Sequence, residues 1–502
     1  MEEINYIPST RNFKKKNSLI NGKLISFVLG VLMLVEAGLF LVCAGISWMH
    51  NETDYIYFIY TCVINTVVGG MMMAYGKRAG HNITRRDGYC VVSGAWLLFT
   101  LFGMLPFIFS GNIPSVTDAF FETMSGFTTT GATILDDIES LSHGLLFWRS
   151  LTQWIGGLGI VLFTIALLPV FSGSSQLLFL SEATGVTHDK IQPRVETMAR
   201  YIWTIYILLT LVETILLMIG GMGWFDAICH SFSTTATGGF STKQASVSYF
   251  NSAYIEYVTA VFMILSGVNF SLYYWLIRGR VKHVLKDEEM HWFLKSVGVL
   301  TLIITFALVV NNEYDLELAF RKALFQVATA HTSCGFATDD YNLWPSFTWL
   351  LLVFAMVSGG STGSTSGGIK SVRLVIIAKS IKKQFKQLIH PRAVLPIRIN
   401  QEAITPQVSN TVFTFCATYL ICIFIGWTVL MALGVGMGES LGTVVSAIGN
   451  VGPGLGAYGP NFSWASLPDA AKWVLSILMF LGRLEIFGIL LLFYKGFWRD
   501  NR

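Results

Sequence analysis

The chain has 502 residues, of which 53% are hydrophobic and only 13% charged, and a net charge of +4. So much apolar surface cannot be hidden in soluble cores, which excludes a soluble globular protein and makes lipid, not nucleic acid, the surrounding medium. The seven cysteines are odd in number and lie singly in or beside apolar runs, so neither a disulfide framework nor a zinc site is expected, and no covalently bound cofactor.

The N-terminal stretch 1–23 is polar and basic, with Arg11 and Lys14 to Lys16. The apolar run after it is too long for a signal-peptide core, so a retained first span is expected. Spans need about 20 apolar residues. Runs of that kind fall at 24–48, 56–76, 89–110, 145–171, 201–222, 253–277, 292–310, 347–372, 408–434 and 471–495. Shorter apolar stretches at 117–127, 224–234, 317–330 and 439–448 are half that length and predict half-spanning helices. Acidic residues open several of them, Asp118, Asp226, and Asp315 with Glu317, where carboxylates favour the positive helix N-terminus.

Each short helix runs directly into a Thr/Ser/Gly-rich segment: FTTTGAT at 127–133, STTATGGFST at 233–242, AHTSCGFATD at 330–339 and AIGNVGPGLG at 447–456. Aligned on one glycine, they give Thr129-Thr130-Gly131, Thr237-Gly238-Gly239, Ser333-Cys334-Gly335 and Asn450-Val451-Gly452. The glycines recur at roughly hundred-residue intervals, far longer than the ~20–50 residues of solenoid repeats, so each unit is a small domain. Glycines in spans usually mark close packing, and Gly156, Gly157 and Gly159 of QWIGGLG are read that way. The four aligned glycines are not, because each ends a half-length helix. Irregular backbone survives in a bilayer only where protein buries it or water lines it.

Lys and Arg cluster at Lys77, Arg78, Arg85 and Arg86, at Lys190, Arg194 and Arg200, at Arg278, Arg280, Lys282 and Lys286, and from Lys370 to Arg398. Those connections are expected on the cytoplasmic side. The glycine segments then face outward, beside Asp136, Asp137, Glu139, Asp339 and Asp340, which would concentrate cations at the mouth. The expected fold class is an all-α polytopic membrane protein. It has ten transmembrane helices plus four half-spanning pore helices, as four parallel helix–pore-helix–helix repeats in pseudo-four-fold arrangement rather than inverted repeats. Four helix C-termini aimed at one axis, followed by carbonyls that replace a hydration shell, suit a dehydrated monovalent cation, with potassium favoured. The filter is short, so rubidium is expected to pass and some sodium to leak. Asn450 and Pro453 make the fourth segment the most divergent.

GGSTGSTSGG, from Gly359 through Gly360, Ser361, Thr362, Gly363, Ser364, Thr365, Ser366 and Gly367 to Gly368, falls inside an apolar run, and its composition predicts a broken helix. The basic stretch behind it, through Lys386, reads either as a solvated inner face or as a docking surface. Arg483 is ionisable within the last run, and such residues are functional candidates because burial is costly. A fixed charge ~5 Å from a passing cation, at an effective dielectric of ~20, is worth ~3 kcal/mol, enough to slow flux about a hundredfold. The alternative is membership of a buried interhelical ion pair. Glu485 does not share its helix face but can pair with a neighbouring helix. Glu36, Glu122, Glu213 and His331 read as packing or interhelical contacts. His50, His81, His143, His188, His283, His291 and His390 fall at or near span ends or in loops, and no nucleophile and base converge, so an intramembrane enzyme is not expected.

MSGFTTTGATIL (124–135), RSLTQWIGGLGIVLF (149–163), GGSTGSTSGGIK (359–370) and FLGRLEIFGILLLF (480–493) resemble the TrkH branch of the TrkH/KtrB/HKT superfamily of potassium transporters. The resemblance runs from about Leu24 to Phe493. It implies a cytoplasmic segment 1–23, a two-helix preface over 24–80, and pore repeats at 81–185, 186–285, 286–400 and 401–502. It also implies potassium as the transported ion at the filter triples, with 359–368 an intramembrane gating loop below them and Arg483 facing the pore. A homodimer, a TrkA-like cytoplasmic nucleotide-binding regulatory subunit, and a multi-pass inner-membrane location with a cytoplasmic N-terminus follow from the same likeness. A KtrB-like sodium-coupled subunit is the alternative; the two extra N-terminal spans and GRLE in the last run favour the first.

Overall fold

The structure, a computed structural model, describes residues 20–77, 84–159, 195–311 and 314–499. Lys190, Arg194 and the second half of the 145–171 run lie outside the described residues. The described chain is mostly helical, with one short antiparallel strand pair, Arg398–Ile399 on Glu402–Ala403, and six of its helices are long and apolar enough to cross a membrane, or up to eight if each of two bent pairs is one span.

Helices α1 (Gly22–Met49) and α2 (Tyr55–Gly76) form the preface. They approach closely through two glycines: a Cβ on Gly30 would lie 2.6 Å from the Gly69 carbonyl oxygen, and one on Gly69 would lie 2.9 Å from that of Gly30. The Glu36 carboxylate accepts from the Asn65 amide across this interface at 2.9 Å. Helix α3 (Arg85–Gly103) starts at a capping box, in which Thr84 Oγ1 accepts from the Asp87 N–H and Asp87 accepts from the Thr84 N–H. The other Asp87 oxygen takes the Asn21 N–H at 2.8 Å, tying the start of the preface to α3.

Beyond the preface, four groups follow one plan. Each has a long first helix, a short second helix and a third helix. The first is α3, continued by α4 (Leu105–Phe109), then α5 (Val116–Phe127) and α6 (His143–Leu158). The second is α7 (Val195–Ile219), α8 (Trp224–Thr235) and α9 (Ala253–Ser266), continued by α10 (Phe270–Ile277) and α11 (Val281–Val284). The third is α12 (Glu288–Asn311), α13 (Leu316–His331) and α14 (Ser346–Ser358), with α15 (Ser371–Ile389) beyond a non-helical stretch. The fourth is α16 (Pro406–Ala432), α17 (Met437–Gly449) and α18 (Asp469–Arg483), continued by α19 (Phe487–Phe493).

The short helices have 12, 12, 16 and 13 residues. At 1.5 Å per residue all are shorter than the ~30 Å of a hydrocarbon core. Each carries an acid in its first turn, Asp118, Asp226, Glu317 and Glu439, set against the positive end of its dipole. Each also packs between the first and third helices of its own group and against the third helix of the preceding one: α8 on α6, α13 on α9, α17 on α14, and α5 on α18. The last contact closes the ring.

Three of the apolar runs expected to be continuous spans are interrupted. The 253–277 run bends by 92° between α9 and α10, and the 471–495 run by 115° between α18 and α19. The 347–372 run stops being helical after Ser358, as its glycines predict. Helix α6 likewise ends at Leu158, with Gly159 at φ 93°. At the first bend the freed backbone is satisfied from outside the helix, since the Gly267 carbonyl accepts from Ser361 N–H at 2.8 Å and Phe270 N–H donates to the Gly363 carbonyl at 3.0 Å.

Candidate functional site

The four aligned triples share one backbone conformation. Their first and third residues are left-handed: Thr129 (54°) and Gly131 (81°), Thr237 (52°) and Gly239 (79°), Ser333 (56°) and Gly335 (93°), Asn450 (54°) and Gly452 (106°). Each first residue is the C′ position of a Schellman motif ending a short helix. Thr129 N–H bonds the Gly126 carbonyl and Thr130 N–H that of Ser125, and the equivalent pairs run from Thr237 and Gly238, Ser333 and Cys334, and Asn450 and Val451. Glycine is usual at C′; three hydroxyl residues hold it here at a cost of about 1–2 kcal/mol each, and an asparagine, which tolerates the left-handed region better, holds the fourth. Alternating hand turns successive carbonyls to one side of the chain, the arrangement that a set of main-chain ligands requires.

The triples interlock in cyclic order. A Cβ on Gly131 would fall on the Gly238 carbonyl oxygen, one on Gly239 on that of Cys334, and one on Gly335 on that of Val451. One on Gly452 would lie 2.6 Å from the Thr130 carbonyl oxygen, returning to the first triple. Gly131, Gly239, Gly335 and Gly452 also line one common cavity. The middle and third residues of all four triples are therefore gathered around one centre.

Chemically distinct contacts hold each pair of neighbouring groups behind this ring. Between the first and second, Arg149 Nη1 donates to the Ser241 carbonyl at 3.1 Å while its guanidinium lies 4.1 Å over the Phe240 ring. The same guanidinium forms a fully buried ion pair with Glu122, at 2.9 Å, and Glu122 in turn accepts from Thr133 Oγ1 and Ile134 N–H. Glu256 of the second group pairs with Arg321 at 3.0 Å and Lys322 at 2.8 Å of the third. Asn342 of the third exchanges two hydrogen bonds with Gly456 of the fourth. Lys472 of the fourth pairs with Asp118 of the first at 2.6 Å.

Residues 359–370 form an irregular strap beneath the ring. It touches three of the four groups directly. Thr365 Oγ1 donates to the Thr235 carbonyl at 3.1 Å, Gly367 N–H donates to Ser333 Oγ at 2.6 Å, and a Cβ on Gly367 would fall on the Gly449 carbonyl oxygen. On its far side Thr362 N–H and Val372 N–H both donate to Glu289 Oε1, at 2.6 and 3.1 Å. Arg483 sits where α18 stops. It donates to the Thr365 carbonyl of the strap at 2.7 Å and to the carbonyls of Gly156 and Gly157 at the end of α6, so one guanidinium joins the fourth group, the strap and the first group. Glu485 pairs with Arg373 of α15 at 2.6 Å, a partner on a neighbouring helix.

Gly156 and Gly157 are close-packing points, as read from the sequence: added Cβ atoms would meet the Phe127 carbonyl and the Tyr206 hydroxyl. His331 packs edge-on against Phe293 and bonds Ser296 Oγ at 2.6 Å. Sequence reasoning missed Arg149, Gln153 and Glu289. Arg149 was accessible to the rule that singled out Arg483, an ionisable residue in an apolar run, whereas the partners of Gln153 and Glu289 are distant in sequence.

A family model for cation transport proteins, TrkH, matches residues 57–501. The chain belongs to the TrkH family. It is 36% identical over 480 residues to the Trk system potassium uptake protein TrkH of Salmonella typhimurium, covering 95% of this chain and 99% of the relative. It has the same identity over 458 residues to TrkG of Escherichia coli K12, covering 91% and 94%. The crystal structure of the potassium transporter TrkH from Vibrio parahaemolyticus superposes with a TM-score of 0.86 at 35% identity, over 95% of this chain and 99% of that one. TrkH-family membership makes the chain a transport protein and not an enzyme.

Proposed function

We propose that this chain takes up potassium through a channel-like pore in the bacterial inner membrane, with the four triples as its selectivity filter. The observation that carries the reading is the cyclic interlock of Gly131, Gly239, Gly335 and Gly452 with the carbonyls of the next triple. Main-chain oxygens gathered in this way can stand in for the water stripped from an alkali ion. Similarity to potassium uptake proteins along nearly the whole chain supports the same cargo.

In this reading the four groups are parallel repeats around a common axis, with ten spans and four pore helices, bounded as the sequence suggests: 24–80, 81–185, 186–285, 286–400 and 401–502. The strap over 359–368 is the gate. It obstructs the path below the filter and Arg483 latches it, adding a fixed positive charge. A TrkA-like cytoplasmic subunit moves the gate, the transporter is a homodimer, and the N-terminus is cytoplasmic. The KtrB-like alternative gains nothing, since relatives matched over both preface and pore are Trk system proteins.

The test is growth at low potassium of an uptake-deficient bacterial strain carrying this chain with its own regulatory subunit. Gly239→Ser places a side chain at φ 79° against the Cys334 carbonyl. If that variant keeps the potassium-over-sodium preference of the parent, the filter assignment is wrong.

A further inference from the structure

We infer that Gln153, on the third helix of the first group, is a selectivity-determining positioning residue that holds the second filter segment from behind. Its side-chain amide straddles Gly239: Nε2 donates to the Gly238 carbonyl at 2.7 Å, and Oε1 accepts from the Phe240 N–H at 2.9 Å. Gln153 is fully buried. Both peptide planes flanking a left-handed glycine are thereby fixed by one planar group. Glycine alone offers little resistance to rotation of those planes, and a buried amide that keeps both partners rigidifies what it bonds.

A second observation points the same way. The middle residue of the triple carries a side chain in three segments, Thr130, Cys334 and Val451, and is glycine only in the second. A Cβ on Gly238 would fall on the Gln153 side chain, with Cδ and Oε1 nearest. The space that the second segment's own side chain would fill is occupied from the neighbouring group. Gly238 and Gln153 are thus one packing unit, and the extra glycine of TGGF is explained by a residue 85 positions away.

The Gly238 carbonyl is also the one that fills the Cβ position of Gly131. Any displacement of Gly238 therefore reaches the first segment. Gln153 sets the width of the ring at the joint between the first and second groups, and a cation is discriminated there by how well fixed oxygens match its radius.

The inference rests on the potassium-pore reading. Its test uses the full-length protein together with its own regulatory subunit in liposomes, measuring potassium, rubidium and sodium flux, with melting temperature in each salt as a second readout. Gln153→Glu keeps the shape and the acceptor for Phe240 but loses the donor to Gly238. Gln153→Met keeps the volume and loses both. The expected result is a fall of about tenfold in the potassium-over-sodium ratio for the methionine variant, equal to about 1.4 kcal/mol. A smaller fall is expected for the glutamate, and in both variants less extra stabilisation by potassium over sodium. Gly238→Ala should fail to fold or conduct alone, and the double variant Gly238→Ala with Gln153→Ala should fold again while staying unselective.

Parental selectivity in both single variants, or in the double variant, overturns the role of Gln153. A parent that conducts no potassium overturns the transport reading instead. Should both single variants lose their fold, recovery in potassium but not in sodium supports the inference, and recovery in neither salt overturns it.

Discussion

The Asn450 side-chain amide donates to Thr130 Oγ1 at 3.1 Å, joining the fourth glycine segment to the first across 320 residues of sequence. The same amide reaches the Met479 carbonyl at 2.9 Å. The departure from a hydroxyl residue at this position is therefore a gain of reach. Asparagine tolerates the left-handed backbone that the Schellman motif demands, and its longer side chain bridges a joint that serine would leave open.

Replacing Asn450 separates backbone from bridge. Asn450→Leu loses both bonds and forces a branched side chain into φ 54°, for an expected loss of about 3 kcal/mol in stability. Asn450→Gly accepts the left-handed backbone as well and loses only the bonds, so about 1–2 kcal/mol is expected. Denaturation of the detergent-solubilised protein measures both.

Arg483 latches the strap to two groups at once, and Arg483→Ala removes the latch and the charge together. Flux through reconstituted protein is expected to rise on the order of a hundredfold, given an electrostatic barrier of ~3 kcal/mol. Arg483→Lys retains the charge but cannot span three carbonyls, so it should fall between the two. Unchanged flux in both would make the residue purely structural.

Glu289 ties the strap to the first turn of α15 by accepting the Thr362 and Val372 N–H groups on one oxygen. Glu289→Gln preserves an oxygen acceptor in the same place and should leave flux close to the parent. Glu289→Ala strands both donors, at about 1–3 kcal/mol each, and should free the strap. Protease sensitivity between Ser358 and Ser371, compared across the three proteins, checks this.

The Arg149–Glu122 pair is fully buried, so removing one partner leaves an uncompensated charge. Arg149→Met is expected to cost about 3–5 kcal/mol. The double variant Arg149→Met with Glu122→Gln should cost less than the single one, because the stranded carboxylate is gone. A double-mutant cycle on unfolding reports the difference.

Much of the architecture could be read from local signals. The short helix expected at 117–127 is Val116–Phe127, and that at 439–448 is Met437–Gly449. Apolar length, an acid in the first turn and a glycine after the last turn are all properties of neighbouring residues, so periodicity and capping chemistry suffice. The bend after α18 was not legible, because Leu484, Glu485 and Ile486 include no glycine or proline, yet Glu485 and Ile486 have φ of 51° and 52°. Tertiary contacts impose that break, among them the pairing of Glu485 with Arg373. Gln153 was opaque for a similar reason: its meaning lies in Gly238, and no spacing rule connects them.

The four seams between groups differ in kind: an arginine on a carbonyl and an aromatic face, a glutamate shared by two cations, an amide exchanging bonds with backbone, and a lysine on an aspartate. Assembly from interchangeable parts would tolerate any rotation of one part against the next. Here each edge recognises a single mate, so a nascent polypeptide can seat its quarters in only one sequence. Each seam can also be altered by mutation without copying the change into the other three.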